Sequence, residues 1–358
     1  MTCRVVIASI SAGVASWFLA GCSHVSLRST GTNPLPLPPE IQKEYACPKG
    51  GDFDPEVEIL EQTSAYVRKK IMIKPHPGAP DGVGGTNTAR RIGLEYYDLR
   101  APGKTPVVLV LPMAGGGYTI ERHFANYFAN RGYAAVIVQR ERLAKDQQLI
   151  ENLNSMMHRM VVDHKRVIDW LETQSDVDAS KLGLFGISLG GIKGAILTPV
   201  EPRIQAAMIG LAGGDVPYIL AHSTEPGLTK RRDEFLKQRN LTVEEAEVQI
   251  RQLITRDPLV YAPYIDPQKV LLVIARYDTV VPTEKGLLLK EKMGNPETIM
   301  LPSGHYTAAL SIPYIKSQAF EFFEKRFTQT PAKPATLATT HNGRGRGTWP
   351  GATRLTNR

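Results

Sequence analysis

The 358-residue sequence predicts an α/β fold: a mostly parallel central sheet with helices on both faces and a small helical cap. Three observations predict it. Apolar runs at 106–111, 133–138, 181–187, 204–211, 270–275 and 297–301 read as strands, several of them continuous enough to be buried on both faces. Helical patterns separate or follow them, at 120–131, 146–174 and 306–327. Between 216 and 261 the alternation stops for 46 residues. Helical signals there cover 229–239 and, behind the capping box Thr242-x-x-Glu245, continue to 254. Strand–helix alternation of this kind gives a parallel sheet, and ligands sit at the carboxyl ends of its strands.

In chain order, residues 1–21 come first. Arg4 is followed by a mostly apolar run from Val5 to Leu19, too short for a membrane span and suited to a secretory signal. It ends in Leu19-Ala20-Gly21-Cys22, which resembles the lipobox of bacterial lipoproteins. The resemblance implies cleavage before Cys22, lipid on its thiol and new amine, and, with Ser23 next, an outer-membrane destination in the cell envelope. Several acyl chains at about 0.8 kcal/mol per buried CH₂ make a stable anchor. Cys47 is then the remaining thiol. Residues 22–55 read as a linker, and Pro34, Pro36, Pro38 and Pro39 make 30–40 a stiff extended spacer. At about 3.1 Å per residue, Ser23 to Pro39 would hold the folded part roughly 50 Å from the bilayer.

Residues 56–327 read as one domain, with early strands at 70–74 and 92–99 around a Gly/Pro-rich loop, 75–91. In 146–174 the stripe Leu149, Leu153, Met157, Met160, His164, Val167 and Leu171 marks the buried face, and the methionines read as core filling. The tail, 328–358, is poor in apolar residues and reads as disordered. It carries Lys333, Arg344, Arg346, Arg354 and Arg358 and no acid. The formal net charge of +8 therefore sits mainly there; without the tail and Arg4 the chain is +2, which excludes a nucleic-acid footprint.

The chain is organised around 182–197, where an apolar strand passes through Gly186-Ile187-Ser188-Leu189-Gly190 into a helix. A nucleophilic serine needs that turn: the hydroxyl is exposed, the glycines avoid collisions across it, and the helix N-terminus favours negative charge. Serine also needs a base, and the base an orienting acid. The loop after 270–275 supplies Asp278 and the loop after 297–301 supplies His305; Asp215, after the preceding strand, is the rival acid. The other histidines show no metal-ligand spacing.

Through Gly186–Gly190, Tyr277-Asp278-Thr279-Val280-Val281-Pro282 and Ser303-Gly304-His305, the chain is similar to the α/β-hydrolase family, especially its dienelactone-hydrolase-like and esterase branches, over roughly 105–327. The resemblance implies Ser188 as nucleophile, His305 as general base and then acid, and Asp278 as orienter. It implies an oxyanion hole from the N–H of Leu189 and a second N–H in the loop after 106–111. Many relatives carry His-Gly at the start of that loop; here Pro112-Met113 stands there, so the second donor is Ala114, or Met113 next in line. The expected function is a lipid-anchored serine hydrolase of carboxylic esters, acting through an acyl-enzyme with no metal or cofactor. The same residues leave open a peptidase or amidase, and a non-catalytic envelope lipoprotein that binds a partner.

Overall fold

The computed structural model describes residues 24–31, 33–77, 90–115, 117–140 and 149–328. The stretch expected to be a signal sequence (1–21), Cys22 and the tail beyond residue 328 lie outside them.

Among the described residues, ten strands form one sheet: β1 (Val25–Leu27), β2 (Glu56–Gln62), β3 (Tyr66–Ile73), β4 (Ile92–Leu99), β5 (Thr105–Leu111), β6 (Ala134–Val138), β7 (Val177–Ile187), β8 (Ile204–Gly210), β9 (Val270–Ala275) and β10 (Glu297–Leu301), in the order β1-β10-β9-β8-β7-β5-β6-β4-β3-β2. Strands β5 to β10 pair in parallel. β2, β3 and β4 extend one edge antiparallel, and β1 closes the other antiparallel to β10.

The helices are α1 (Pro39–Glu44), α2 (Thr119–Ala129), α3 (Leu149–Glu172), α4 (Leu189–Val200), α5 (Val216–His222), α6 (Pro226–Arg239), α7 (Val243–Leu253), α8 (Pro258–Tyr261), α9 (Thr283–Lys292) and α10 (Ile312–Thr328). Alternate strand residues feed two cores, because successive side chains leave opposite faces. Val107, Leu109 and Leu111 pack in the core built with α3 and α4, and Val108 and Val110 in the core that takes Phe124 and Phe128 of α2 and Phe322 and Phe323 of α10. Both faces of the parallel strands are thus covered, which is why those strands read as unbroken apolar runs.

The 46 residues between β8 and the turn before β9 form α5 to α8, and Thr242 and Glu245 make the reciprocal bonds of a capping box at the start of α7. The base of this cap is tied to the loop after β9: Ser223 Oγ donates to Val280 O at 2.7 Å, and Thr224 N to Thr279 O at 3.3 Å.

The segment expected as an extended spacer is instead part of the domain. β1 pairs with β10, His24 stacks on Tyr314, and Leu35 N donates to Pro263 O. Pro38 caps α1 and Pro39 opens it, since a proline at the first helical position loses no hydrogen bond. Tyr45 is 1% exposed, and its hydroxyl lies 2.9 Å from that of Tyr261. Prolines that restrict the chain's conformation here serve docking, because apolar residues between them have a surface to cover.

Candidate active site

Ser188 sits between β7 and α4 with φ 55° and ψ −124°, a backbone conformation that an L-residue adopts only under constraint. The constraint is visible in its neighbours. A Cβ on Gly186 would enter the carbonyl of Gly190, and one on Gly190 would enter the carbonyl of Leu111. Ser188 N donates to Gly210 O at 2.8 Å, fastening the turn to β8. The result presents Oγ at the carboxyl edge of the parallel strands.

Asp278 follows β9 and is buried. Its Oδ1 accepts from Val280 N and Val281 N, both at 2.9 Å, which fixes the carboxylate and turns Oδ2 toward His305. His305 follows β10 in a loop braced by Tyr277 N to Ser303 O and by Gly304 N to Thr307 Oγ1, each 2.9 Å. His305 Nδ1 stands 2.7 Å from Asp278 Oδ2, and Nε2 stands 3.0 Å from Ser188 Oγ. The carboxylate beside Nδ1 holds the proton there, leaving Nε2 to accept from the serine. The structure therefore brings together the three residues that the sequence singled out, from three separate strand ends.

Asp215, the rival acid, is engaged elsewhere. It precedes α5 with φ 61°, and its side chain pairs with Lys285 at 2.8 Å and Arg251 at 2.7 Å. Burial pushes its carboxyl up, but the hydrogen bonds from Lys285 and Arg251 outweigh this and leave it below the usual range. It braces the cap.

Leu189 is the first residue of α4, so its N–H has no carbonyl to meet within the helix. In the loop after β5 the two sequence candidates separate. Met113 N donates to Glu121 Oε1 at 2.8 Å and is thereby occupied. Ala114 lines the cavity at Ser188 and is the remaining donor candidate. Met113 O also accepts from Arg140 Nη1 at 2.7 Å, so this loop is held from both sides of one residue. Glu121, on α2, had no part in the sequence reading; its signal, an acid facing a buried loop, exists only once α2 is docked.

A cavity of about 400 Å³ opens on Ser188 and His305. Its walls come from α2, α3, α4, the cap and the start of α10, and they include Met157. That methionine thus lines the cavity as well as filling the core, which corrects the purely structural reading. His164, one face of the same helix, is buried with Nδ1 2.7 Å from Met160 O.

The sheet order and the turn that carries Ser188 are those of the α/β-hydrolase fold. Residues 96–215 match the Dienelactone hydrolase family, a stretch that includes β5 to β8 with the Ser188 turn inside it. Two uncharacterized proteins from Mycobacterium tuberculosis strains are 30% identical over 146 residues, 40% of this chain. The match spans 32% of the length of those curated relatives. Among solved structures, acetyl xylan esterase 1 from a Thermoanaerobacterium species superposes with a TM-score of 0.56 at 16% identity, covering 81% of this chain and 96% of that one. An acetyl xylan esterase from a Paenibacillus species gives 0.55 at 16% identity, covering 81% and 100%. At that identity the likeness is one of fold.

Proposed function

We propose that the chain is a serine hydrolase of carboxylic esters and that Ser188, His305 and Asp278 carry the reaction through an acyl-enzyme. The observation that carries this reading is the continuous hydrogen-bonded line from Asp278 Oδ2 through the imidazole to Ser188 Oγ. Ser188 Oγ attacks the ester carbonyl carbon as its proton passes to His305 Nε2. The carbonyl oxygen becomes an oxyanion facing the N–H groups of Leu189 and Ala114, at the positive end of α4. Collapse of the intermediate breaks the bond to the alcohol oxygen, which takes the proton from Nε2. Water then repeats the sequence on the acyl-enzyme and releases the acid. Asp278 holds the imidazole in the productive tautomer and offsets the charge of the imidazolium. The family match supports a hydrolase of this type.

The test is p-nitrophenyl ester turnover and fluorophosphonate labelling of the wild type and Ser188→Ala. Turnover should fall by several orders of magnitude, with labelling abolished. Equal labelling of both proteins sinks the assignment. Comparing matched ester and amide substrates separates an esterase from an amidase.

The lipobox-like Leu19–Cys22 supports a further part of the reading, lipidation at Cys22 and a place in a bacterial envelope. Metabolic palmitate labelling that is lost in Cys22→Ala would bear it out; labelling that persists would remove it.

A further inference from the structure

Resting on the ester-hydrolase reading, we propose that the acyl group this site accepts is a long hydrocarbon chain rather than acetyl or an acid-bearing group. The cavity beside Ser188 measures about 400 Å³. At ~30 Å³ per heavy atom, the share of a molecule in liquid water, that is room for roughly thirteen heavy atoms. Its walls are hydrocarbon: Leu153 and Met157 from α3, Ile192 from α4, Ile219 from α5 and Leu228 from α6 all face it. Bound acetyl would leave most of this volume to water against apolar side chains, losing both dispersion contacts and apolar burial.

The polar side chains on the cavity have other work or the wrong sign. Ser188 and His305 are the reacting pair. Glu225 caps α6, accepting from Leu228 N at 2.6 Å, so a carboxylate already stands on the wall. A second carboxylate on the substrate would meet like charge and would be desolvated against hydrocarbon. Tyr306 is 63% exposed and Ile120 is 42% exposed, and both also line the cavity, so it reaches the surface beside apolar as well as polar groups. The enclosure is made partly by the cap, whose base is bonded to the loop that carries Asp278. Chain binding and the orientation of the acid therefore share one structural support.

The experiment is a series of p-nitrophenyl esters from acetyl to octanoyl, assayed on the full chain below their micellar concentrations. kcat/KM should rise about fourfold per added methylene, the equivalent of about 0.8 kcal/mol each, and on the order of 10³ across the series. The p-nitrophenyl monoester of octanedioic acid should react on the order of 10² more slowly than the octanoyl ester. Leu153→Trp, which fills the cavity, should lower the octanoyl-to-acetyl ratio at least about tenfold. Leu228→Trp, on the half-buried cap helix, repeats the test where the folded core is less at risk. A ratio taken on one preparation is independent of the fraction folded. A flat series, or acetyl preferred, overturns the chain-binding proposal while ester hydrolysis stands. Equal rates for the acid-bearing and neutral chains overturn it too. No reaction with any ester or with fluorophosphonate overturns both readings at once.

Discussion

Asp278 has both carboxylate oxygens committed: one to two backbone N–H groups and the other to the imidazole of His305. Replacing it with asparagine keeps the shape but offers an amide where a carboxylate held the Nδ1 proton. Asp278→Asn should lower kcat by about 10⁴, measured on a p-nitrophenyl ester, with thermal stability little changed. Glu121 acts at one remove. It is a positioning residue that holds Met113 N, and with it the loop presenting Ala114. Glu121→Gln keeps an accepting oxygen and should keep most of the activity, while Glu121→Ala should lower kcat by up to ~10² with KM less affected. Equal loss in both variants would argue for a plain packing role. The three residues proposed to react were legible because each lies at the end of an apolar run. The second oxyanion donor was not, since the choice between Met113 and Ala114 depends on a side chain eight positions further on, brought in by docking of α2.

The pair α3 and α4 shows how an element can be half legible. The stripe from Leu149 to Leu171 follows from spacing alone, and Leu153, Met157, His164, Val167 and Leu171 are buried as expected. That Met157 also lines the cavity could not be read, because the cavity is a property of the facing helices. His164 carries a pH consequence. Burial pushes its imidazole down to about 4, against the hydrogen bond to Met160 O. The unfolded chain, with an ordinary histidine near ~6.5, binds a proton between those values that the folded chain refuses. This contribution to stability is therefore full above about pH 6.5 and is lost as pH falls toward 4, on the order of 3 kcal/mol in all. Urea unfolding at pH 7 and pH 4.5 should show the loss, and His164→Leu should reduce the slope. At the elbow, Gly190→Ala places a Cβ in the carbonyl of Leu111 and should abolish activity while lowering the melting temperature, read by circular dichroism.

Across the molecule, what sequence reasoning misjudged is the amino-terminal segment. Four prolines within six residues suggest a rod when the composition is read alone. Between and beyond them, however, Val25, Leu27, Leu37, Ile41 and Tyr45 supply the apolar side chains of a strand and a short helix, and Leu37, Ile41 and Tyr45 pack on the large core beside α3. Long-range pairing such as that of β1 with β10 leaves no local trace, since the partner lies some 270 residues away. A chain lacking residues 1–46 should unfold at a lower temperature, by several degrees at least, because β10 loses its outer neighbour and Tyr261 its hydroxyl partner. An unchanged melting temperature would mean that the segment is only laid on the surface.

Acylation of Ser188 can be followed by pre-steady-state hydrolysis of a p-nitrophenyl ester with mass spectrometry of the quenched protein. A burst approaching one equivalent of nitrophenol and an acyl adduct on the peptide containing Ser188 are expected, both absent in Ser188→Ala. Turnover with the adduct elsewhere, or a burst that survives in Ser188→Ala, would contradict acylation at Ser188.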